Sequence, residues 1–198
     1  MNDSMKRPIS LGIDLAGSEK RPTGLCVLDS RLNAITWVVK LDNEIIQAVE
    51  KWRPEIVAID APLSLPKQGA LRECDKELLR RGIRLLPPAA GPMLKLTLRG
   101  IRLCTELRSR GFKVIEVFPG GAQDVLGIPR KRAGKDRLLA GLRKLGIKQL
   151  RDNITLDELD AVTAAYVGLL YLRHQVEIIG GCDGYIVMPA STRGKARS

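Results

Sequence analysis

The sequence has few of the side chains on which zinc sites and nucleophilic hydrolases depend. Its 198 residues include one histidine, His174, and four cysteines, none of which forms a C-x-x-C pair. A zinc site built from thiolates and imidazoles is therefore not expected. A Ser-His-Asp hydrolase is also not expected, because His174 is the only base available and falls at the end of a predicted helix, where a cation suits the helix dipole.

Aromatic residues and long apolar runs are also scarce. Phe, Trp and Tyr make up 4% of the chain, so no stacking surface for single-stranded nucleic acid is evident. The longest apolar stretch, Ala161–Leu172, is too short for a bilayer, which needs about 20 residues. No basic and apolar leader opens the chain. We therefore predict one cytoplasmic domain over residues 1–198, with reduced thiols, no membrane partner and flexible ends at residues 1–7 and 191–198.

Positive charge is plentiful and is concentrated in one part of the chain. The formal net charge is +11, and residues 80–137 carry 14 Lys and Arg against 4 Asp and Glu, a net of +10. A field this localised favours the phosphates of a nucleic acid as a partner. A solvated basic face without a partner is the alternative at this point.

The spacing of apolar residues predicts an α/β fold. Three β-rich runs joined by short turns predict an antiparallel meander, and the alternating strands and helices after it predict a mixed sheet with helices on its faces. Leu85–Met93 is predicted to be a loop, and its part Pro87–Met93 is interpreted as a simple break between helices rather than as a lid over the acidic edge. The predicted strands are Ile9–Leu15, Thr23–Leu28, Ala34–Val39, Glu55–Asp60 and Lys113–Phe118, the last stopped by Pro119-Gly120-Gly121. The predicted helices run from a cap at Asp42 or Asn43 to Trp52, over Arg72–Arg81 and Leu96–Arg110, near Lys135–Leu145, and from a capping box at Thr155 to about His174, before a hairpin of Val176–Ile179 and Tyr185–Met188.

Carboxylates stand where two of these strands end. Asp14 lies in an apolar strand, near its end, and Asp60 follows the apolar run Ile56–Ile59. Burying an unpaired carboxylate costs several kcal/mol, so each needs a partner or a cation. If the two strands are adjacent and parallel, both side chains emerge at one edge of the sheet, where ligands bind in α/β proteins.

Three more acids are candidates for the same edge. Asp157 and Asp160, at i and i+3, share one face of a predicted helix. The helix dipole alone accounts for Asp157 in the first turn, but it does not account for Asp160. Glu116 lies within a strand and can equally face outward. Oxygen ligands without nearby His or Cys suit Mg²⁺ or Mn²⁺.

Three acidic motifs resemble those of the RNase H-like superfamily. They are Gly12-Ile13-Asp14-Leu15-Ala16-Gly17, Ala58-Ile59-Asp60-Ala61-Pro62 and Asp157-Glu158-Leu159-Asp160-Ala161. The last is similar to the paired helix aspartates of RuvC-type junction resolvases. The chain resembles more closely the domain of unknown function 429 family, described as predicted nucleases of RNase H-like fold. The further motifs of that family appear here as Arg72-Glu73-Cys74-Asp75, Leu98-Arg99-Gly100, Val114-Ile115-Glu116-Val117-Phe118-Pro119 and Gly184-Tyr185-Ile186-Val187-Met188-Pro189.

The resemblance implies an RNase H-like fold and a set of metal ligands. The fold is a mixed five-stranded sheet, with a three-strand antiparallel meander plus parallel strands, helices on both faces and a C-terminal hairpin. The implied ligands are Asp14, Asp60 and Asp160, with Asp157 alongside, whereas Glu116 matches a motif without an assigned role. Resolvases use a glutamate as the second carboxylate, so the shorter Asp60 can alter the metal spacing.

We therefore expect a nuclease that depends on Mg²⁺ or Mn²⁺ and hydrolyses phosphodiester bonds by a two-metal mechanism. DNA or RNA is the expected partner, and the protein is expected to be a monomer or a homodimer. The predicted catalytic acids are Asp14, Asp60, Asp157, Asp160 and Glu116. The basic side chains expected to position phosphates are Arg72, Lys95, Arg99, Arg130, Lys131 and Arg132.

Two alternatives remain open from the sequence. One is a nucleic-acid-binding protein that keeps the fold without turnover. The other is an actin-like or sugar-kinase-like phosphotransferase, because Asp14-Leu15-Ala16-Gly17-Ser18 loosely resembles the first phosphate loop of those enzymes. Those enzymes pair two such domains around a nucleotide, and this chain has room for one.

Overall fold

Alternating apolar residues form three consecutive strands near the start of the chain. In the computed structural model, which describes residues 6, 7 and 9–191, these strands are β1 (Ile9–Asp14), β2 (Thr23–Asp29) and β3 (Ala34–Val39). β1 pairs antiparallel with β2, and β2 pairs antiparallel with β3. The predicted meander is confirmed.

Two further strands extend the sheet on the other side of β1. β4 (Ile56–Asp60) is parallel to β1, and β5 (Val114–Glu116) is parallel to β4. Within the described residues, the five strands follow the order β3-β2-β1-β4-β5. β6 (Val176–Gly181) and β7 (Gly184–Pro189) form the predicted hairpin. The predicted mixed α/β sheet is therefore confirmed.

Helices cover both faces of the sheet because the side chains of each strand alternate in direction. On one face, Leu11, Ile13 and Val57 pack against α1 (Asp42–Trp52) and α3 (Gly91–Ser109). On the other face, the strands pack against α6 (Leu156–Leu172). The remaining helices are α2 (Glu73–Arg80), α4 (Pro119–Leu126), α5 (Lys135–Lys144) and a 3₁₀ helix over Lys131–Ala133.

α6 lies directly on the backbone of β1 and β2. A Cβ atom at Gly12 would lie 2.1 Å from a backbone carbonyl oxygen of α6, and one at Gly24 would lie 2.2 Å from the carbonyl oxygen of Asp157. Only glycine permits this approach. The predicted capping box starts the helix, since the Thr155 hydroxyl accepts the Glu158 N–H and the Glu158 carboxylate accepts the Thr155 N–H. The first turn of α6 is thereby held at the ends of β1 and β2.

Two helices begin where the sequence predicted a loop or a turn. α3 begins at Gly91 rather than at Leu96, and α4 occupies a segment that starts with the predicted strand stop Pro119. Both helices carry a proline, Pro92 or Pro119, in their first turn, where the missing N–H has no intrahelical partner to lose. A proline predicted to stop a strand, Pro119, and one predicted to lie in a loop, Pro92, therefore each lie in the first turn of a helix.

The cap of α1 also differs from the prediction. The N-cap residue is Leu41 rather than Asp42 or Asn43. Glu44 accepts the backbone N–H groups at the start of this helix, including that of Leu41. Asp42 instead accepts a hydrogen bond from Arg99.

The predicted flexible ends at 1–7 and 191–198 fall largely outside the described residues. Within the described part of the chain, no helix combines the length and the apolar character that crossing a membrane requires. The four cysteines are free; Cys26, Cys74 and Cys104 are buried, and Cys182 is exposed.

Candidate metal centre

Two of the predicted acidic residues end neighbouring parallel strands. Asp14 is the last residue of β1, Asp60 is the last residue of β4, and the strand register places the two directly opposite each other. Their side chains leave the sheet on the same face, because paired residues of adjacent strands share a face. The prediction that both carboxylates emerge at one edge of the sheet is confirmed by this register.

The third aspartate comes from the helix that crosses these strands. Gly24 is the register partner of Asp14, and the backbone of Asp157 lies against Gly24. About one turn further along α6, Asp160 reaches the ends of β1 and β4. One carboxylate oxygen from each of Asp14, Asp60 and Asp160 lies within 4.8 Å of the others. We call these three residues the acidic cluster.

Burial changes the protonation of two members of the acidic cluster, Asp14 and Asp60. Asp160 is 3% exposed, and Asp14 and Asp60 are partly buried. Burial, followed by the charge of Asp160, raises the pKa of Asp14 to about 7. Burial, followed by the charge of Asp14, raises the pKa of Asp60 well above its usual value. Because their ionised forms are poorly hydrated and repel neighbouring carboxylates, a bound cation would favour the ionisation of Asp14 and Asp60 near neutral pH.

Two neighbouring side chains contact Asp160. The Lys131 ammonium lies 2.6 Å from Asp160 Oδ2. The Gln123 amide, carried by α4, donates to Asp160 Oδ1 at 2.9 Å and to the Thr163 hydroxyl at 3.2 Å. Burial alone would lower the pKa of Lys131, but the charges of Asp160 and Asp14 raise it above its usual value. Asp160 is therefore held by one cation and one amide.

Sequence reasoning missed Gln123 because it missed α4. A single glutamine in a segment rich in glycine forms no pattern that points to a site. The usable signal is Pro119, which suits the first position of a helix as well as the end of a strand. A helix starting there carries Gln123 in its second turn, on the side that the structure buries.

Asp157 lies beside the acidic cluster. It is partly buried in the first turn of α6, and its charge contributes to the raised pKa of Asp14. Among the described residues, the group whose oxygens approach within 4.8 Å consists of Asp14, Asp60 and Asp160. A role for Asp157 as a fourth ligand stays a prediction.

Glu116 points to the other face of the sheet. It pairs in register with Ile59, the residue before Asp60, so its side chain leaves the sheet opposite to that of Asp60. There Glu116 accepts hydrogen bonds from Arg72 at 2.6 and 2.7 Å and from the Leu63 N–H at 2.7 Å. The structure does not bring Glu116 together with the predicted metal ligands.

Arg72 is buried, and its guanidinium donates hydrogen bonds to three side chains. Besides Glu116, it donates to both carboxylate oxygens of Asp75 at 2.9 and 3.0 Å and to the Ser64 hydroxyl at 3.0 Å. Its side chain is 1% exposed, so it is not presented to a phosphate as the sequence analysis expected. Burial alone would lower the pKa of Arg72, but hydrogen bonds with Glu116 and Asp75 raise it above its usual value. We call Arg72, Asp75 and Glu116 the buried ion network.

Arg99, a second predicted phosphate ligand, is also buried, with 2% of the residue exposed. It donates to the Ala16 carbonyl at 2.7 Å, to the Lys40 carbonyl at 3.0 Å and to Asp42 at 2.8 Å. Ala16 lies two residues after Asp14. Arg99 therefore braces the loop that follows β1 rather than facing solvent.

The two buried arginines support the acidic cluster in the same way. Arg99 braces the loop after β1, and the buried ion network braces the loop after β4 through its hydrogen bonds to Leu63 and Ser64. Each of these loops follows directly on a strand aspartate. Two motifs of the sequence analysis, Arg72–Asp75 and Leu98–Gly100, thus acquire a structural explanation.

The other predicted phosphate ligands lie closer to the surface. Lys95 and Arg132 are exposed, and Lys131 is half-exposed in its contact with Asp160. Arg130 pairs with Asp124, and its guanidinium lies 5.7 Å from the centre of the Phe118 ring. A role of these side chains in phosphate binding stays a prediction.

The acidic cluster fits a divalent metal ion. Its ligand atoms are carboxylate oxygens, the donors that Mg²⁺ and Mn²⁺ prefer. The raised pKa of Asp14 and the ammonium held by Asp160 both indicate that a cation is favoured at this place. The residues that would hold the ion are Asp14, Asp60 and Asp160.

Comparisons with known proteins identify a sequence family and solved structures of similar fold. A sequence model of the family described as protein of unknown function (DUF429) matches residues 12–181. The structure is similar to that of RuvC from Thermus thermophilus in complex with a Holliday junction substrate, with a TM-score of 0.53 and 19% identity over 85% of this chain and 96% of that one. Another Thermus thermophilus RuvC structure gives a TM-score of 0.48 and 19% identity over 84% and 96%. No curated protein matches the chain. The likeness to the junction complex shows that the fold is RNase H-like.

Proposed function

The chain belongs to the family described as protein of unknown function (DUF429), and we propose that it is a metal-dependent nuclease that hydrolyses phosphodiester bonds. The observation that carries the proposal is the acidic cluster, three aspartates whose oxygens lie within 4.8 Å at the carboxyl edge of an RNase H-like sheet. A nucleic-acid partner is supported by the net charge of +11 and by the Holliday junction bound to the similar RuvC structure.

Each part of the site would have a separate task. Asp14, Asp60 and Asp160 would hold Mg²⁺ or Mn²⁺, with Asp157 as a further ligand. The bound ion would supply an activated water and would stabilise the charge of the leaving oxygen. Burial of the carboxylates keeps their charge focused on the ion, since charges interact more strongly where water is excluded. The exposed cations Lys95 and Arg132 would bind phosphates of the nucleic acid.

The test is cleavage of a substrate panel by the purified protein. The panel contains duplex DNA, duplex RNA, an RNA–DNA hybrid, single-stranded DNA and a four-way DNA junction, each with Mg²⁺, with Mn²⁺ and with EDTA. We expect at least one substrate to be cleaved with metal and none with EDTA. Asp14→Asn should lower the rate by at least about 100-fold, because losing even an outer-shell partner of a metal can cost that much.

A matched control separates loss of a ligand from loss of an acid in general. Asp136 is an exposed acid in the first turn of α5, so Asp136→Asn makes the same chemical change away from the acidic cluster and should keep the wild-type rate. Circular dichroism should show both variants folded. Failure of the wild-type protein to cleave any member of the panel would contradict the proposal.

A nucleic-acid-binding protein without turnover is the second candidate. The ion pair between Lys131 and Asp160 favours it, because this ammonium already neutralises part of the acidic cluster. This candidate predicts that the protein shifts DNA in a gel in the presence of EDTA and leaves it intact after incubation with Mn²⁺. Cleavage in the panel described above would rule it out.

A further inference from the structure

One basic side chain reaches into the acidic cluster from the surface. The Lys131 ammonium lies 2.6 Å from Asp160 Oδ2, and it also interacts electrostatically with Asp14 and Asp60. The Lys131 side chain is 52% exposed, whereas that of Asp160 is 4% exposed. This ion pair therefore links a side chain that has room to move with a carboxylate that does not.

The position of Lys131 in the chain gives its ammonium this freedom. It lies in the 3₁₀ helix Lys131–Ala133, all of whose residues are exposed. The flexible four-carbon stem of a lysine lets the ammonium leave one partner for another by rotamer changes alone. The next residue, Arg132, is exposed, so an ammonium that leaves Asp160 would join another cation at the surface, whereas Arg130 is paired with Asp124.

The two oxygens of Asp160 have different partners. Oδ1 accepts the Gln123 amide at 2.9 Å, and Oδ2 contacts Lys131. The buried amide is fixed, because Gln123 also donates to the Thr163 hydroxyl. Oδ2 is therefore the oxygen with which Asp160 would bind a metal ion, and it is the one that Lys131 occupies.

The formal charges also indicate that a metal ion and the Lys131 ammonium cannot both be favourable beside Asp160. Asp14, Asp60, Asp157 and Asp160 carry four negative charges when ionised, and two divalent ions would balance them without help. An ammonium beside Asp160 would then add an excess positive charge in a partly buried site. Like charges at such short range repel strongly where water is scarce. The ion and the ammonium therefore compete for Asp160.

We propose, building on the proposed nuclease function, that Lys131 is a built-in counter-ion that a divalent metal ion displaces from Asp160, and that the displaced ammonium then binds a phosphate of the nucleic acid. Metal binding frees Lys131 for the phosphate, and the phosphate draws Lys131 away from Asp160. Because coupling of two binding equilibria is reciprocal, each ligand raises the affinity for the other.

The test is the affinity for Mn²⁺ in the absence of nucleic acid, measured from the electron paramagnetic resonance signal of the free ion. Lys131→Met should bind Mn²⁺ about five-fold more tightly than the wild type, because a partly exposed ion pair of roughly 1 kcal/mol no longer has to be broken. Lys131→Arg should bind like the wild type, since it keeps a cation. Lys144→Met, which removes a charge from the exposed end of α5, is the matched control and should bind like the wild type.

Gel shifts with a four-way DNA junction measure the coupling. For the wild type, Mn²⁺ should strengthen junction binding, and for Lys131→Met this gain should be reduced. A Lys131→Met protein that binds Mn²⁺ no more tightly than the wild type would overturn the exchange while leaving the nuclease proposal standing. If neither the wild type nor Lys131→Met binds Mn²⁺, the exchange and the proposed metal site both fail.

Discussion

The buried ion network and the acidic cluster lie on opposite faces of the same sheet edge, and they balance their charges differently. In the network, Glu116 and Asp75 share Arg72, whose side chain is 1% exposed and which also donates to Ser64. In the acidic cluster, three carboxylates share one ammonium, that of Lys131, which contacts a single one of them and is half-exposed. Both groups keep an excess of negative charge, but each carboxylate of the network is hydrogen-bonded to the Arg72 guanidinium, whereas in the acidic cluster the Lys131 ion pair is made with Asp160 alone.

This difference separates a structural group from a ligand site. A buried carboxylate without a partner costs several kcal/mol, so a fold that only needs stability pairs its buried charges completely. The network gives each of its two carboxylates direct hydrogen bonds from Arg72, and it braces the loop after β4. The acidic cluster keeps its carboxylates short of positive charge at the edge of the sheet. The comparison therefore predicts that removing the cation costs more stability in the network than in the acidic cluster, and that neutralising one acid changes stability in opposite directions in the two groups.

The largest effect is expected from removing the cation of the buried ion network. Arg72→Met leaves Glu116 and Asp75 buried without a counter-ion, so the free energy of unfolding should fall by about 3–5 kcal/mol. Urea denaturation followed by circular dichroism measures the change. Lys131→Met in EDTA removes the half-exposed cation and should cost about 1 kcal/mol or less. Equal losses in the two variants would contradict the distinction.

A smaller effect of opposite sign is expected from neutralising one acid in each group. In EDTA at pH 8, Asp14→Asn should raise the free energy of unfolding by about 1 kcal/mol or more, because it removes a poorly balanced charge. Glu116→Gln should lower it by about 1–3 kcal/mol, because an amide nitrogen then faces a guanidinium N–H that had an acceptor. The same denaturation assay reports both, and changes of equal sign would count against the comparison.

The pH dependence of stability should isolate the contribution of Asp14. Its pKa rises from 3.8 to about 7 in the folded protein, so the folded state binds more protons than the unfolded state between these values. In EDTA, the free energy of unfolding should therefore fall as the pH rises from about 4 to about 7. Asp14→Asn should show a shallower fall than the wild type.

The control for this pH prediction is the same titration with Mn²⁺. An ion binds the ionised carboxylates, so the stability of the wild type should rise rather than fall over this pH range. Parallel curves for the wild type and Asp14→Asn in EDTA would show that Asp14 does not titrate in this range.

Local pattern was enough to predict much of the fold. The meander follows from period-two alternation, and the start of α6 follows from Thr155 and Glu158. Asp14 and Asp60 were placed at one edge because both end apolar strands. The sequence analysis missed α4 and the early start of α3 because a proline such as Pro119 or Pro92 is compatible both with a loop or strand end and with the first turn of a helix. A proline ends a strand and also suits the first turn of a helix, and only packing decides between them.

Residue types and their positions along the chain thus determined the sheet, the helix that crosses it and the aspartates at the ends of the strands. The tertiary structure decided which charges meet. The register of β5 turned Glu116 to the face where Arg72 lies, the glycines of β1 and β2 let α6 carry Asp160 to the other face, and the 3₁₀ helix brought Lys131 to Asp160. A charge in a sequence has no partner until register and packing place one within a few ångströms, because Coulomb attraction acts through distance in space and not along the chain.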